Sequence, residues 1–336
     1  MGSTLVTLNN WMAAKMPRLV RTLRSLLAGR CFRYDRRRLV GLSCAFRADS
    51  REKQSTLIAM DYHVAEKGLT MPNRRMGFGQ PRILKLMNRI RKFERAYGLD
   101  DFHVAHAVGV VRAYAELHEG WDGRKDNPAF WETLDAFVAG HPGIPPAGQL
   151  HFTQAEFFGA LDQPFPVFAA SRHSVRHYAA KELPMPRIRA AVQLATTAPC
   201  ACNRQYIRVH CVSDKDRIKS LLDLQGGSRG FGHLADKLLV VTADLEGIIG
   251  ERERNDLYTN GGIFLMNLCY GLHCQKIAHC VLNWSKFPED DLAMRRLLDL
   301  RASENVVAFL TCGEAPEEFD VAASPRKPLS DILLEH

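Results

Sequence analysis

Several signals are missing from this chain, and each absence removes a class of function. Among its 336 residues, no apolar run reaches the roughly 18 needed to cross a bilayer, so no membrane-spanning helix is expected. The first residues lack the basic, apolar and small-residue order of a secretory leader, and a cytoplasmic protein is the expectation. Nine cysteines include no CxxC pair, and no HExxH occurs, so a zinc site is not expected. Nor does that usage describe a disulfide scaffold in a chain of this size. Cys200 and Cys202 stand too close in sequence to pair easily and read as small loop residues. Residues 225–232, QGGSRGFG, hold four glycines in eight positions. No strand leads into them and no ribose-reading acid follows at the right place, so they read as a mobile loop and not as a dinucleotide fingerprint.

What is present is an ordinary globular composition with one charged segment. Hydrophobic content of 46% and charged content of 24% suit a soluble fold, and the length allows two domains. The net charge is +8. Lys15, Arg18, Arg21, Arg24, Arg30, Arg33, Arg36, Arg37 and Arg38 against Asp35 account for nine minus one, the same +8, so the remainder is near neutral. Nucleic-acid binding by the whole protein therefore loses its main support.

Residues 12–27 pattern as an amphipathic helix, with Met12, Met16, Leu19, Val20, Leu23, Leu26 and Leu27 on one arc. Lys15, Arg18, Arg21 and Arg24 fall on the other, Pro17 suits the first turn, and Gly29 suits the stop. Such a helix either lies on an anionic membrane or docks on its own protein. Further helices are expected over 55–69, from Pro81 to Gly98, from a cap at Asp100 or Asp101 to about Glu119, and from Pro128 to about Val138. His63 and Glu66, three apart, share a helix face, as an acid/base pair or as a surface hydrogen bond. Residues 141–150, HPGIPPAGQL, form the best boundary. Two regions follow: a helical 1–150, and 151–336, which opens with a capping box at Thr153 and Glu156.

Within the second region the pattern becomes α/β. Strands are expected over 205–212, 237–243, 277–284 and 305–311, and helices over 214–224, 255–274 and 290–300. The helix at 255–274 contains GGIFLMNLCYGL, apolar nearly all round, and should be buried on most sides. Ahead of it stands Arg172-His173-Ser174-Val175-Arg176-His177-Tyr178. Wound as a helical turn, Arg172 and Arg176 would share a face. Two guanidinium forks with a hydroxyl between them suit a phosphate monoester, and a solvated basic turn is the plain alternative.

That heptapeptide, followed about two dozen residues later by Ala198-Pro199-Cys200-Ala201-Cys202-Asn203-Arg204-Gln205, resembles the opening of the FMN-dependent nitroreductase family. The resemblance covers residues 171–336. It implies an α+β fold, a three-layer α-β-α sandwich with a mixed sheet, in an intertwined homodimer. It implies FMN at the subunit interface, with Arg172, Arg176 and, from a late Arg-x-Pro pattern, Arg326 on the phosphate. Ser174 would add a hydroxyl, and His173 would line the ring edge through its backbone. Pro199, Cys200, Ala201 and Asn203 would come from the other subunit, with Ser228 and Gly230 as further ring contacts. The implied activity is two-electron transfer from NAD(P)H to a small-molecule acceptor, with no catalytic side chain required. Residues 63–79 resemble an N-terminal extension on some such proteins, a subgroup associated with bacterial surface-polysaccharide biosynthesis. The chain departs from the family pattern at Cys200 (for Ser), at Tyr206 (for Pro), and at residues 276–280, where a glycine-bearing segment is usual. His279, Asn283 and Trp284 could then shape a specialised acceptor pocket. The competing reading is a non-catalytic flavin-binding or interaction protein, held peripherally at the inner membrane face by residues 12–38.

Overall fold

The computed structural model describes residues 16–336. Met12 and Lys15, members of the first expected helix, lie outside the described residues. Helix α1 is Pro17–Leu42 and does not stop at Gly29. A single glycine costs a helix only about 1 kcal/mol, and the Arg- and Leu-rich residues on either side favour continuation. The helix is tied down by Asp35, which accepts from Arg254 Nε and Nη2 at 2.6 and 2.9 Å. Its Leu19, Leu23, Leu26 and Leu27 remain exposed.

Four helices build the next unit: α2 (Arg51–Leu69), α3 (Gln80–Tyr97), α4 (Phe102–Leu117) and α5 (Pro128–Ala139). Ser50 caps α2 through Lys53 N, and Asp101 caps α4 by accepting from His103 and Val104 N at 3.0 and 3.3 Å. Gly98 ends α3 at φ 78°, a value that favours glycine. The apolar stripe Ile83, Leu86, Met87, Ile90 and Phe93 meets Ile58, Val104, Val108 and Tyr114 in one hydrophobic cluster.

The segment expected to be a linker ends in a strand. β1 (Gln149–Thr153) pairs antiparallel with β6 (Glu318–Ala322), bringing the end of the first region against the end of the chain. Neither strand was read from the sequence. β1 (QLHFT) does alternate polar and apolar residues, but it is only five residues long, three exposed and two half-buried, and a partner about 170 positions away completes it. The capping box at Thr153 and Glu156 forms as expected and opens α6 (Gln154–Phe157). α7 (Phe165–Ser171) leads to the Arg172 segment.

A four-stranded sheet follows, in the order β2-β3-β5-β4, with β2 Ile207–Val212, β3 Lys237–Asp244, β4 Ala278–Asn283 and β5 Glu304–Gly313. Every pairing among the described strands is antiparallel, where a mixed sheet was expected. The α+β class stands: β3 and β4 run in the same direction, but β5 lies between them and pairs antiparallel with both. β3 is buried at all eight positions, so its two faces hold helices on both sides. Leu239 and Val241 pack with α8 (Met185–Ala195) and α10 (Asp256–Cys274). Leu238 and Val240 pack with α9 (Lys215–Gln225) and α11 (Pro288–Leu298), giving three layers.

α10 and α8 approach closely. A Cβ on Gly271 would stand 2.5 Å from the Ala191 carbonyl oxygen, so only glycine allows this contact. The helix is not buried all round, however. Tyr258, Ile263 and Met266 form an exposed apolar stripe on the side away from the sheet.

Candidate functional site

The Arg172 segment is not a helical turn. Residues 172–178 run extended after α7, with Val175 N donating to His279 O at 3.0 Å and Ala179 bridging Glu314. The segment thus lies along β4, and Arg176 and Cys280 each follow a residue of that backbone bond. The physical reason is the buried Val175 and Tyr178, which anchor it to the sheet. Tyr178 Oη meets Val175 O at 2.8 Å and Thr311 Oγ1 at 2.8 Å. In an extended chain, Arg172, Ser174 and Arg176 still share a side, now by a period of two.

Here the polar accounting does not close. Arg176 is only 7% exposed, yet among the described residues neither Arg172 nor Arg176 has a hydrogen bond or a carboxylate partner. The Nε atoms of both are buried and unpartnered. Beside them sit two buried histidines whose tautomers follow from their neighbours. Ser171 Oγ donates to Phe168 O, so His273 Nε2–H donates to Ser171 Oγ at 2.9 Å, and His273 Nδ1 is left a bare acceptor. His279 Nδ1–H donates to Ile277 O at 2.9 Å, leaving Nε2 bare as well. Burial, then the positive Arg172 nearby, pushes His273 down to about 4. Burial likewise pushes His279 down to about 3 against its backbone bond, with Arg172 adding to the fall. Both are neutral at pH 7. Buried polar groups are normally satisfied, so orphaned donors and acceptors in one place mark a site that expects a ligand or ordered water.

The other expected residues fall in three places. Arg326 is exposed and donates to Ser324 O; it joins Arg172, after burial, in lowering His173, so it stands at the same locus. His173 packs its ring 5.7 Å from Phe152. Ser174 is half-buried on the segment itself. Ser228 is buried and Gly230 exposed in the wall of a 510 Å³ cavity beside α9. The loop there is held by Gln225, which accepts from Gly227 N at 2.6 Å and donates to Asn283 O at 2.9 Å.

Pro199 and Cys200 line a separate 90 Å³ cleft with Asn260 and Phe264. Ala201 N donates to Asn260 Oδ1 at 2.8 Å, while the exposed Asn203 accepts from Gln205 Nε2 at 2.9 Å. Cys202, Asn203 and Gln205 all have φ near 50°, a strained conformation that Arg204 holds by gripping Glu253 and the Gly247 carbonyl. This loop sits at the N-terminal end of α10, whereas His273 and Arg172 sit at its C-terminal end. Thirteen residues of helix place the two about 20 Å apart within one chain.

Of the expected acceptor pocket, His279 faces the Arg172 cluster. Trp284 packs on Phe309 with ring centroids 5.3 Å apart, and Asn283 donates to Ser285. These last two are committed locally and do not join His279. The His63–Glu66 contact exists at 3.3 Å, and sequence reading missed its third member: His106 Nε2 lies 2.7 Å from Glu66 Oε1. Burial favours the neutral acid, but the bonds to His106 and His63 outweigh it and hold Glu66 below the ordinary range. No spacing rule links positions 66 and 106. The signals that sequence reading also missed at the main site are His273 and Ser171, which take part only because α7 and α10 meet.

The model of the Nitroreductase family matches residues 169–229, which include both motifs. No curated protein matches. Among solved structures, a nitroreductase family protein of Streptococcus pneumoniae is 19% identical, with a TM-score of 0.46, covering 52% of this chain and 100% of its own. A Desulfovibrio desulfuricans protein named as a nitroreductase, in complex with FMN, is 20% identical, with a TM-score of 0.44, covering 52% of this chain and 98% of its own. NfrA2 of Bacillus megaterium is also 20% identical, with a TM-score of 0.44, over 49% of this chain and 72% of its own.

Proposed function

We propose that this protein is an FMN-dependent oxidoreductase of the nitroreductase type, drawing electrons from NAD(P)H. The observation that carries this reading is the pair of guanidiniums at Arg172 and Arg176, which among the described residues have no acid partners and have buried, unpartnered Nε atoms. An isolated buried cation is costly, and a dianionic phosphate would relieve two at once. The match over 169–229 names a family in keeping with that chemistry. Residues 151–336 are then the FMN-binding domain, and 1–150 a helical region attached to it.

The residues fit the group. Arg172, Arg176 and Arg326 would hold the phosphate with the Ser174 hydroxyl, and the His173 backbone would line the ring edge. Ser228 and Gly230 would approach the ring from the α9 side. Pro199, Cys200, Ala201 and Asn203 cannot reach this chain's own Arg172. A two-fold partner packing on the exposed stripe Tyr258, Ile263 and Met266 would bring its copy of the loop there, so the reading includes a homodimer. Bound FMN would supply the two-electron chemistry. The chain's own part is to fix the phosphate, to keep His273 and His279 neutral beside it, and to exclude water along the buried face of β4. The acceptor would be a small molecule, with a place in surface-polysaccharide assembly as the narrower form of the proposal.

The purified protein should be yellow, bleach with NADH or NADPH, and recolour when an acceptor is added. A colourless protein that takes up no added FMN would overturn the reading. The exposed Leu19, Leu23, Leu26 and Leu27 on basic α1 favour a second, compatible role at an anionic membrane face. Flotation with vesicles containing phosphatidylglycerol tests it, and absence from the floated fraction would remove it.

A further inference from the structure

The FMN reading places the cofactor site in the C-terminal region, and one cation of the helical region stands within the field of Arg176. Lys67 lies in the last turn of α2 and is half-buried. Among the described residues its ammonium makes no hydrogen bond and no ion pair, although an acid precedes it in sequence. That acid is spent: Glu66 is fully buried and engaged by His106 at 2.7 Å and His63 at 3.3 Å. Three observations locate Lys67. The end of α2 is seated on the C-terminal region, with Met71 packed against that region's core and Met71 Sδ 3.1 Å from where a Cβ on Gly230 would be. Thr70, Met71, Pro72 and Arg74 share a 380 Å³ cavity with His177, next to Arg176 in sequence. Finally, Lys67 stands in the field of both Arg176 and Cys280, which each follow a residue of the Val175–His279 backbone bond.

We propose that Lys67 is a binding residue for the phosphate dianion that Arg172 and Arg176 await, so that α2 forms one wall of the cofactor site. This inference rests on the FMN reading and adds to it a residue outside the region that resembles the family. A lysine placed beside an arginine with no free carboxylate nearby is repelled and partly desolvated, and an anion shared between them relieves both costs. Consistent with this, burial and then Arg176 hold the Lys67 ammonium below the ordinary lysine range. An anion bound between them would reverse that fall. The arrangement also explains why Glu66 is turned inward to two histidines: a free carboxylate there would compete with the ligand.

The test uses the full-length protein with Lys67→Met and Lys67→Arg. FMN dissociation constants are measured by quenching of flavin fluorescence, with riboflavin as the probe lacking phosphate. Lys67→Met should bind FMN at least about tenfold more weakly, and Lys67→Arg within about threefold of the original, while riboflavin binding stays equal in all three. Because Lys67 has no partner to orphan, thermal melting of the unliganded variants should match the original. Equal FMN affinity in Lys67→Met would overturn the proposal, and so would a parallel loss for riboflavin, which would put the lysine on the ring. If the original protein binds no FMN, the function reading fails on its own. The lysine is then tested with inorganic phosphate by thermal shift, where stabilisation of the original but not of Lys67→Met supports the anion site, and equal shifts overturn it.

Discussion

The helical region and the Arg172 region treat buried charge in opposite ways. In the first, Asp61 is fully buried yet lies within 3.2 to 3.5 Å of Arg82, Lys85 and Arg89, and Glu66 lies between two histidines. In the second, among the described residues, Arg172 and Arg176 have no counter-charge, and two histidine nitrogens lack donors. Both regions have well-packed apolar clusters, so poor packing is not the cause. The difference is that the charges of the first set face counter-groups within the chain, although Asp61 Oδ2, Arg112 Nε and His141 Nε2 there also lack hydrogen bonds, whereas Arg172 and Arg176 face none among the described residues. Buried pairs lose heavily when one partner is removed, whereas an unpaired buried charge can be removed at little cost or with gain.

The strongest way to break this contrast is Glu66→Ala. It leaves His63 and His106 without their acceptor and should cost about 3–5 kcal/mol of unfolding free energy. Urea denaturation at pH 7 measures it, and a loss under about 1 kcal/mol would show that the helical region does not depend on its internal pairs.

Next comes the double replacement Arg172→Met with Arg176→Met. Its FMN affinity should fall by about 100-fold or more, while the unliganded protein melts no lower than the original. A large drop in unliganded stability would mean that the two arginines are structural.

Acid then sharpens the comparison. His273 and His279, with folded values of about 4 and about 3, take up protons in the unfolded chain first. Stability is therefore unaffected above about pH 6.5 and falls below it, by about 1.4 kcal/mol per pH unit for each, until the folded values are reached. His118 in the helical region is also held low by burial. His273→Gln should flatten the slope between pH 6 and 4.5 more than His118→Gln does, as read from denaturant midpoints. Bound FMN, whose phosphate dianion favours the charged imidazoles, should raise both folded values and so narrow the pH window over which stability is lost.

The smallest effect is expected at Asp223→Asn, which removes the exposed partner of Lys219 at 2.6 Å. It should leave melting and FMN binding unchanged, because solvent already screens such a pair.

Much of the fold was readable from local pattern. The stripe from Ile83 to Phe93, the stop at Gly98, the box at Thr153 and the apolar run of β3 each state their structure within a few residues. The errors came where distant partners decide. Gly29 looked like a stop because local rules give glycine that role, yet α1 passes through it. β1 and β6 each show a polar–apolar alternation, but over five residues that signal is too short to stand out without the partner strand. At the candidate site the pairing of Arg172 with Arg176 was legible, although the helical turn expected for them is an extended segment. Ser171, His273 and His106 were not legible, since nothing in a single chain's spacing announces a contact across 102 or 40 positions.

The sequence by itself determined the elements, the capping residues, the basic segment and the pair of arginines, because these depend on neighbours within a turn or two of chain. Only the tertiary structure decided which charges are matched. Whether Glu66 or Arg172 finds a partner depends on desolvation and on side chains brought in from other elements, and burial makes a missing partner matter.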